Sequence, residues 1–524
     1  MVGDKSFRTR TPLNAAVNVA RTAVMALVGI LLVPFYLDSL GLATYGIIPL
    51  ATTMTSYVMI LADSLGIACS RYATLAIHNE PNASRTISTA FYGLVRACLV
   101  IMPIVLLLAY LSPEIFGVSD NSYADVRMMF LLIFASSMIV AVTSALTSVF
   151  NAFNNLYQLY LARLAYTLVQ VGLIFFLFTF DTPSLVTVGV SYLLSSMLLF
   201  IIICLLAKRS YPQLSLRYRD YDRMQFKKMS NLGTWTVVIR IGNMLYIQAS
   251  LVIINMYLGA EYSGGFSIIS SLISMIHTAC YSVTAAFDPL VYICYAKKDY
   301  QQLYKLVRTG MKFVAFLFAM PVAFVIVFSP EILTAWVGSR YTEDPYNLQE
   351  LVVIALLPDV AYCAATMLQS LPEVYLKVKE LAKYTVLFGV VNVTLSVCVT
   401  WYTDWGVKGV TAVWAASMAA YTIATIVFNE RITGFERFSL AKPVTFGYMA
   451  MAFLCAVFYA MSRFVDLPGQ WVPIIAVFLI LFGAYMFVLS RMMKESEKEM
   501  VATFMPEFLV KVFRPLLRRG PRAP

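Results

Sequence analysis

Charge is scarce in this chain of 524 residues: 13% are Asp, Glu, Lys or Arg, against 60% hydrophobic. With a mean hydropathy of +0.76, no soluble domain of this length could wet its surface, so the soluble classes are excluded. The apolar runs continue for roughly 20 residues or more and do not alternate with a period of two, which excludes a membrane β-barrel and requires helices. Clustered thiols are missing too. Cys69, Cys98, Cys204, Cys280, Cys294, Cys363, Cys398 and Cys455 all lie in apolar runs without a CxxC pair, as packing residues do, so neither disulfides, a metal site nor a cofactor is expected. There is no GxxxxGK[ST] phosphate cradle, so ATP is not expected to act directly. The first apolar run begins near Leu13 behind Lys5, Arg8 and Arg10, contains Arg21 and has no small-residue cleavage site, so it reads as a span and not as a removable signal.

What is present is an all-α integral membrane protein of about fourteen transmembrane helices. The expected limits are 12–38, 43–69, 86–111, 125–150, 157–180, 184–207, 230–258, 264–295, 310–335, 349–371, 381–402, 408–429, 443–464 and 471–491. Lys and Arg support that alternation, because they collect on the cytoplasmic side of membrane proteins. One set of connections holds Lys5 to Arg10, Arg71 and Arg85, Lys208 to Lys228, Lys297 to Lys312, Lys377 to Lys383, Arg431 to Lys442 and the tail. The opposite set holds only Arg340, Lys408 and Arg463, beside Glu114, Asp120, Glu261, Glu343 and Asp344. A multi-pass protein of the cell membrane with both termini cytoplasmic is expected. The net charge of +11 is mostly this asymmetry and an attraction to anionic lipid headgroups, with no aromatic-interleaved patch to suggest nucleic acid.

The basic stretch divides the chain. The expected domains are 1–207, a six-helix bundle; 208–229, a basic cytoplasmic linker; 230–442, a second six-helix bundle; 443–492, two additional helices; and 493–524, a basic amphipathic tail lying on the membrane surface. An internal echo supports the division: Leu40, Gly41 and Gly46 recur in the same spacing as Leu258, Gly259 and Gly264, and Arg21 and Arg240 correspond within one residue. Both copies start in the cytoplasm, so the repeat is parallel and encloses cargo around an axis along the membrane normal.

Arg21, Arg96, Arg163 and Arg240 lie inside these apolar runs. Each costs at least about 2.5 to 3.5 kcal/mol at the centre of a span, so several of one sign imply a cavity that receives an anion. Polar stripes at helical spacing point the same way: Asn14, Asn18 and Arg21; Thr236, Arg240 and Asn243; Ser56, Asp63, Gly66 and Ser70; and Ser270, Ser274, His277, Tyr281, Thr284 and Asp288. Asn14, Asn18, Asn243, His277, Tyr281 and Thr284 are expected to line the lumen, where bonding between helices is the bland alternative. Asp63, Asp288 and Asp359 are candidate counter-charges for the arginines, or sites for a coupling proton or Na⁺.

The segment "LVPFYLDSLGLATYGIIPLATTMTSYV" with "GIACSRYATLAI" and the buried Arg21 resembles polysaccharide flippases of the O-antigen and teichoic-acid export kind. These belong to the multidrug, oligosaccharidyl-lipid and polysaccharide exporter superfamily. The resemblance implies a V-shaped pair of bundles plus two C-terminal helices, working by alternating access. It also implies a cationic lumen for a polyprenyl-diphosphate-linked oligosaccharide, with Arg21 and Arg240 among the lining residues. Guanidinium forks suit phosphate oxygens in a low-dielectric site. Arg21, Arg96, Arg163 and Arg240 are the expected headgroup contacts, and Tyr57, Tyr246 and Tyr281 candidates for stacking on sugar rings.

The function expected is that of a flippase and not of an enzyme, moving the glycan from the cytoplasmic to the outer leaflet, with membrane lipids and a polysaccharide polymerase as candidate partners. A cation-coupled multidrug or metabolite extruder is the alternative within transport, and would favour acidic over basic lumen residues. An integral-membrane glycosyltransferase or polysaccharide polymerase needs a large loop with catalytic acids, whereas the longest outer loop expected here is about 14 residues.

Overall fold

The computed structural model describes residues 5–79, 83–116, 122–153, 155–180, 182–284, 287, 291–292, 294–295, 297–339, 347–464 and 469–492. Among them the chain is helical throughout. It forms two compact units, Met1–Met244 with Leu251–Ser267, and Leu245–Ser250 with Ile268–Pro524.

The first unit is built on α1 (Lys5–Leu40), α2 (Leu42–Asn79), α3 (Ser84–Ile115), α4 (Tyr123–Thr143), α5 (Leu156–Phe180), α6 (Leu185–Ser210) and most of α7 (Arg223–Ile247). Helix α6 packs against α4 and α5, α3 against α2 and α4, and α1 against α5. Its first turn is a capping box, Ser184 Oγ accepting from the Thr187 amide at 3.3 Å, and two basic residues, Lys208 and Arg209, close its last turn where the helix dipole favours them. Ile87, Leu146, Val149, Phe150, Leu199 and Ile203 form a buried core. Most of α8 (Ala249–Leu258) and the start of α9 (Ala260–Thr284) belong to this unit as well.

The glycines of the sequence echo occupy matching places. Gly41 ends α1 at φ +79° and Gly259 ends α8 at φ +104°, backbone geometry that a side chain resists. Five residues on, Gly46 and Gly264 approach backbone: a β-carbon on Gly46 would lie 2.7 Å from the Ala260 carbonyl oxygen, and one on Gly264 would lie 2.6 Å from that of Leu42. Leu42 and Ala260 are themselves counterparts in the echo, so the contact is reciprocal.

The second unit holds the rest of α9, α10 (Tyr300–Val327), α11 (Ser329–Val337), α12 (Leu348–Leu356), α13 (Asp359–Ala365), α14 (Val378–Tyr402), α15 (Gly406–Thr433), α16 (Ala441–Ser462) and α17 (Trp471–Met492). Helix α10 packs on α13 and α16, and α14 on α15. The stretch Leu348–Val374 is largely buried and is broken where Pro358 cannot donate to the helical ladder, so α13 starts afresh at Asp359. Gly434, left-handed at φ +73°, ends α15, and the Glu430 carboxylate there accepts the amides of Phe438 at 2.9 Å and Leu440 at 2.8 Å.

Twelve helices among the described residues are long and apolar enough to cross a membrane, and thirteen if Val237–Leu245 and Ala249–Leu258 make one span. Of the fourteen expected, that span is bent by 41°. The expected span 43–69 lies on α2, part of whose side chains fall outside the described residues. So do Asp288 and the tail from Lys494.

Candidate functional site

The arginines of the first unit separate into two settings. In the first, Asn14 of α1 accepts the Tyr157 amide at 2.7 Å, which fixes the start of α5 against α1. This brings Arg21 over the ring of Tyr160, 5.8 Å from its centroid, on the helix that also carries Arg163. Arg21 is half-buried and its Nε has no hydrogen-bond partner among the described residues, while Arg163 is exposed. Neither has a carboxylate within ion-pair distance among those residues; the unit's ion pairs are Arg85 with Asp222 and Arg127 with Glu114. Asn18, half-buried one turn from Arg21, offers its carbonyl to Thr22. Arg240 and Asn243 sit half-buried on α7 of the same unit.

Arg96 does not join them. Sequence reasoning put it beside a lumen, whereas its exposed guanidinium donates to the Tyr218 hydroxyl and lies over the Tyr221 ring at 4.2 Å. The cause is a stripe at steady spacing of four. Ser84 and Ser88 on α3 bond the backbone of Gln213, Ser215 and Arg217, Tyr92 bonds Leu216, and Thr89 bonds Asp220 and Asp222. The basic linker is thereby laid along α3, and Arg96 is its last fastening.

A cavity of about 250 Å³ lies within the same unit, among α2, α4, α5 and α6. Seven of its ten lining residues carry hydroxyls, Thr52, Thr55, Ser56, Ser136, Ser137, Tyr166 and Tyr192, beside Met59, Ile133 and Val140. Tyr57 turns instead to the Met244 carbonyl, at 3.2 Å. The Asp63 and Tyr246 side chains lie outside the described residues.

In the second unit the expected stripe of α9 is divided: His277 and Thr284 are buried, Ser270 is half-buried, and Ser274 and Tyr281 are exposed. Thr284 is buried and bonds the Cys280 carbonyl of its own helix. His277 is buried and faces the fully buried Asp359, Nε2 to Oδ1 3.2 Å. Tyr281 is 38% exposed, and its hydroxyl meets that of Tyr362, whose ring lies 4.4 Å from that of His277. Asp359 is therefore the partner of a histidine and not of an arginine. Tyr160, Tyr218, Tyr221 and Tyr362 were not anticipated. Their one signal is spacing, with Tyr362 three residues from Asp359 and Tyr160 three from Arg163, and it says nothing about partners on other helices.

The family described as "Polysaccharide biosynthesis protein" matches residues 40–344. An uncharacterized membrane protein of Bacillus subtilis (strain 168), EpsK, is 23% identical over 500 residues, 93% of this chain and 97% of its own. The fold is similar to that of an inward-facing multidrug resistance MATE family transporter of the MOP superfamily (TM-score 0.64, 13% identity, 80% of this chain and 98% of that one). It is also similar to the lipid II flippase MurJ in an inward closed conformation (TM-score 0.65, 14% identity, 96% and 100%). The resemblance drawn from residues 12–75 is thus borne out at the level of a polysaccharide biosynthesis family and of the fold.

Proposed function

The chain belongs to the polysaccharide biosynthesis protein family, and from that premise we propose that it is a flippase, not an enzyme, for a polyprenyl-diphosphate-linked glycan. The diphosphate headgroup is drawn into a cationic passage and crosses by alternating access, from the cytoplasmic to the outer leaflet of the cell membrane, while the lipid tail stays in the bilayer. Arg21, Arg163 and Arg240 carry the headgroup, and Arg96, engaged by the linker tyrosines, is left out of that set.

The observation that carries this reading is Arg21, set against the helix that carries Arg163, with no carboxylate within ion-pair distance of either among the described residues. Arg21 keeps a buried N–H with no partner among the described residues and stays under-satisfied until an acceptor, best an anion, reaches it, while Arg163 adds a second positive charge from α5. A diphosphate offers the bidentate oxygens that such forks accept.

The test uses purified protein in proteoliposomes carrying a fluorescent undecaprenyl-diphosphate disaccharide, with a membrane-impermeant quencher outside. Wild type should bring the inner-leaflet pool to the quencher. Arg21→Gln and Arg163→Gln should slow this by about tenfold or more, the equivalent of one lost charge-assisted hydrogen bond. A folded wild type that leaves the inner pool untouched, or variants as fast as wild type, would sink the reading.

A further inference from the structure

The second unit contains an ionisable pair that headgroup binding does not use. The chain has two histidines, and His277 meets a carboxylate at a depth where water is scarce. Asp359 follows Pro358 near the middle of Leu348–Val374 and its side chain is wholly buried, whereas that of His277 keeps 11% of its surface open. Asp359 Oδ2 has no hydrogen-bond partner among the described residues.

The groups around the pair are neutral or weakly acidic. From α9 come Cys280 and Tyr281, from α13 itself Tyr362 and Cys363, and from α16 Tyr448. Tyr421 of α15 stands beyond Tyr281. Lys305 and Arg308 of α10, a helix packed on α13, form no ion pair with Asp359 among the described residues.

This setting counts protons. With one proton between them, whether written as imidazolium and carboxylate or as imidazole and carboxylic acid, the pair has no net charge. Removing it leaves a lone anion and adding a second leaves a lone cation, each strongly disfavoured in a dry interior. The sealed state of the protein therefore holds one proton, and the proton can leave only when the site is wetted. His277 is the port, because its side chain keeps a little open surface while that of Asp359 has none. Tyr281, one turn along α9, carries the polar surface outward: it is exposed, touches the Tyr362 hydroxyl and accepts from Gln369 Nε2 at 3.4 Å.

We propose that His277 and Asp359 form a one-proton site whose loading and release drive the conformational cycle, so that transport is coupled to a proton gradient. The step balances simply: a proton from water binds the neutral imidazole beside the carboxylate, and the same proton is returned to water on the other side of the cycle. The coupling rests on the transporter reading above; the proton site does not.

Two measurements separate them. In lipid nanodiscs, protein labelled with nitrogen-15 histidine should show the His277 ring titrating, assigned by its loss in His277→Gln. Its response to pH should differ between wild type and Asp359→Asn, because the carboxylate that faces the ring is then gone. A ring that does not titrate while the protein stays folded, or that titrates identically in Asp359→Asn, overturns the site. In proteoliposomes with the same fluorescent undecaprenyl-diphosphate disaccharide, an imposed pH gradient should accelerate flipping in wild type, and the acceleration should be lost in both variants. Equal acceleration in the variants overturns the coupling. No flipping by wild type overturns the flippase reading and leaves the proton site to the titration. Should Asp359→Asn fail to fold, His277→Gln, which keeps an amide donor towards the carboxylate, serves alone in the transport arm, and Asp359→Ser, which removes the charge but keeps a hydroxyl, replaces it in the titration.

Discussion

Replacing Gly264 with alanine puts a methyl group 2.6 Å from the Leu42 carbonyl oxygen, where ordinary contact begins at 3.4 Å. The obstacle is backbone and cannot rotate away, so the two helices must part by roughly 0.8 Å or distort, at an overpacking cost of about 1 to 3 kcal/mol. Gly46→Ala meets the Ala260 oxygen at 2.7 Å and should cost a similar amount. Because one separation of the helices relieves both clashes, the double variant should cost less than the two singles added, by about 0.5 kcal/mol or more. The assay is unfolding by sodium dodecyl sulfate in mixed micelles, followed by tryptophan fluorescence. Gly172→Ala on α5 and Gly483→Ala on α17 are the controls. An added β-carbon meets nothing within 4 Å at either, so both should be neutral or stabilising. Strict additivity, or a Gly264→Ala variant as stable as the controls, would refute the close approach.

The remaining predictions concern two fastenings. Glu430→Ala removes the acceptor for the Phe438 and Leu440 amides and should destabilise the protein by about 1 to 3 kcal/mol in the same assay, with Glu430→Gln recovering part of the loss. Ser88→Ala combined with Arg96→Ala should free the linker, seen as faster trypsin cleavage at Arg217 and Arg219. Each lost bond contributes about 0.5 to 1.5 kcal/mol.

Much of the fold was legible because hydrocarbon leaves the chain little choice: a run of about 20 apolar residues must be a helix, and the expected ends of 157–180 and 471–491 differ by one residue from α5 and α17. The echo of Leu40, Gly41 and Gly46 was legible for a similar reason, since a left-handed turn and a backbone contact each demand glycine. The count of fourteen was less secure, because length and hydropathy do not report a bend such as the one before Ala249. Of the candidate site, the scarcity of acid beside Arg21 could be read from the chain. That Asp359 answers His277, 82 residues away, could not, nor that Arg96 is held by Tyr218. Depth places a charge within the membrane, but only packing decides which helix its side chain meets.

The reciprocal glycine contact has a bearing on ancestry. Gly46 rests on the residue that corresponds to Leu42, and Gly264 rests on Leu42 itself, which is the self-complementary pattern two identical subunits make across a dyad. A half-length forebear pairing with its twin would have needed one glycine to make both contacts. In a chain that carries both copies each glycine can be lost separately, yet either loss would hold the same two backbones apart.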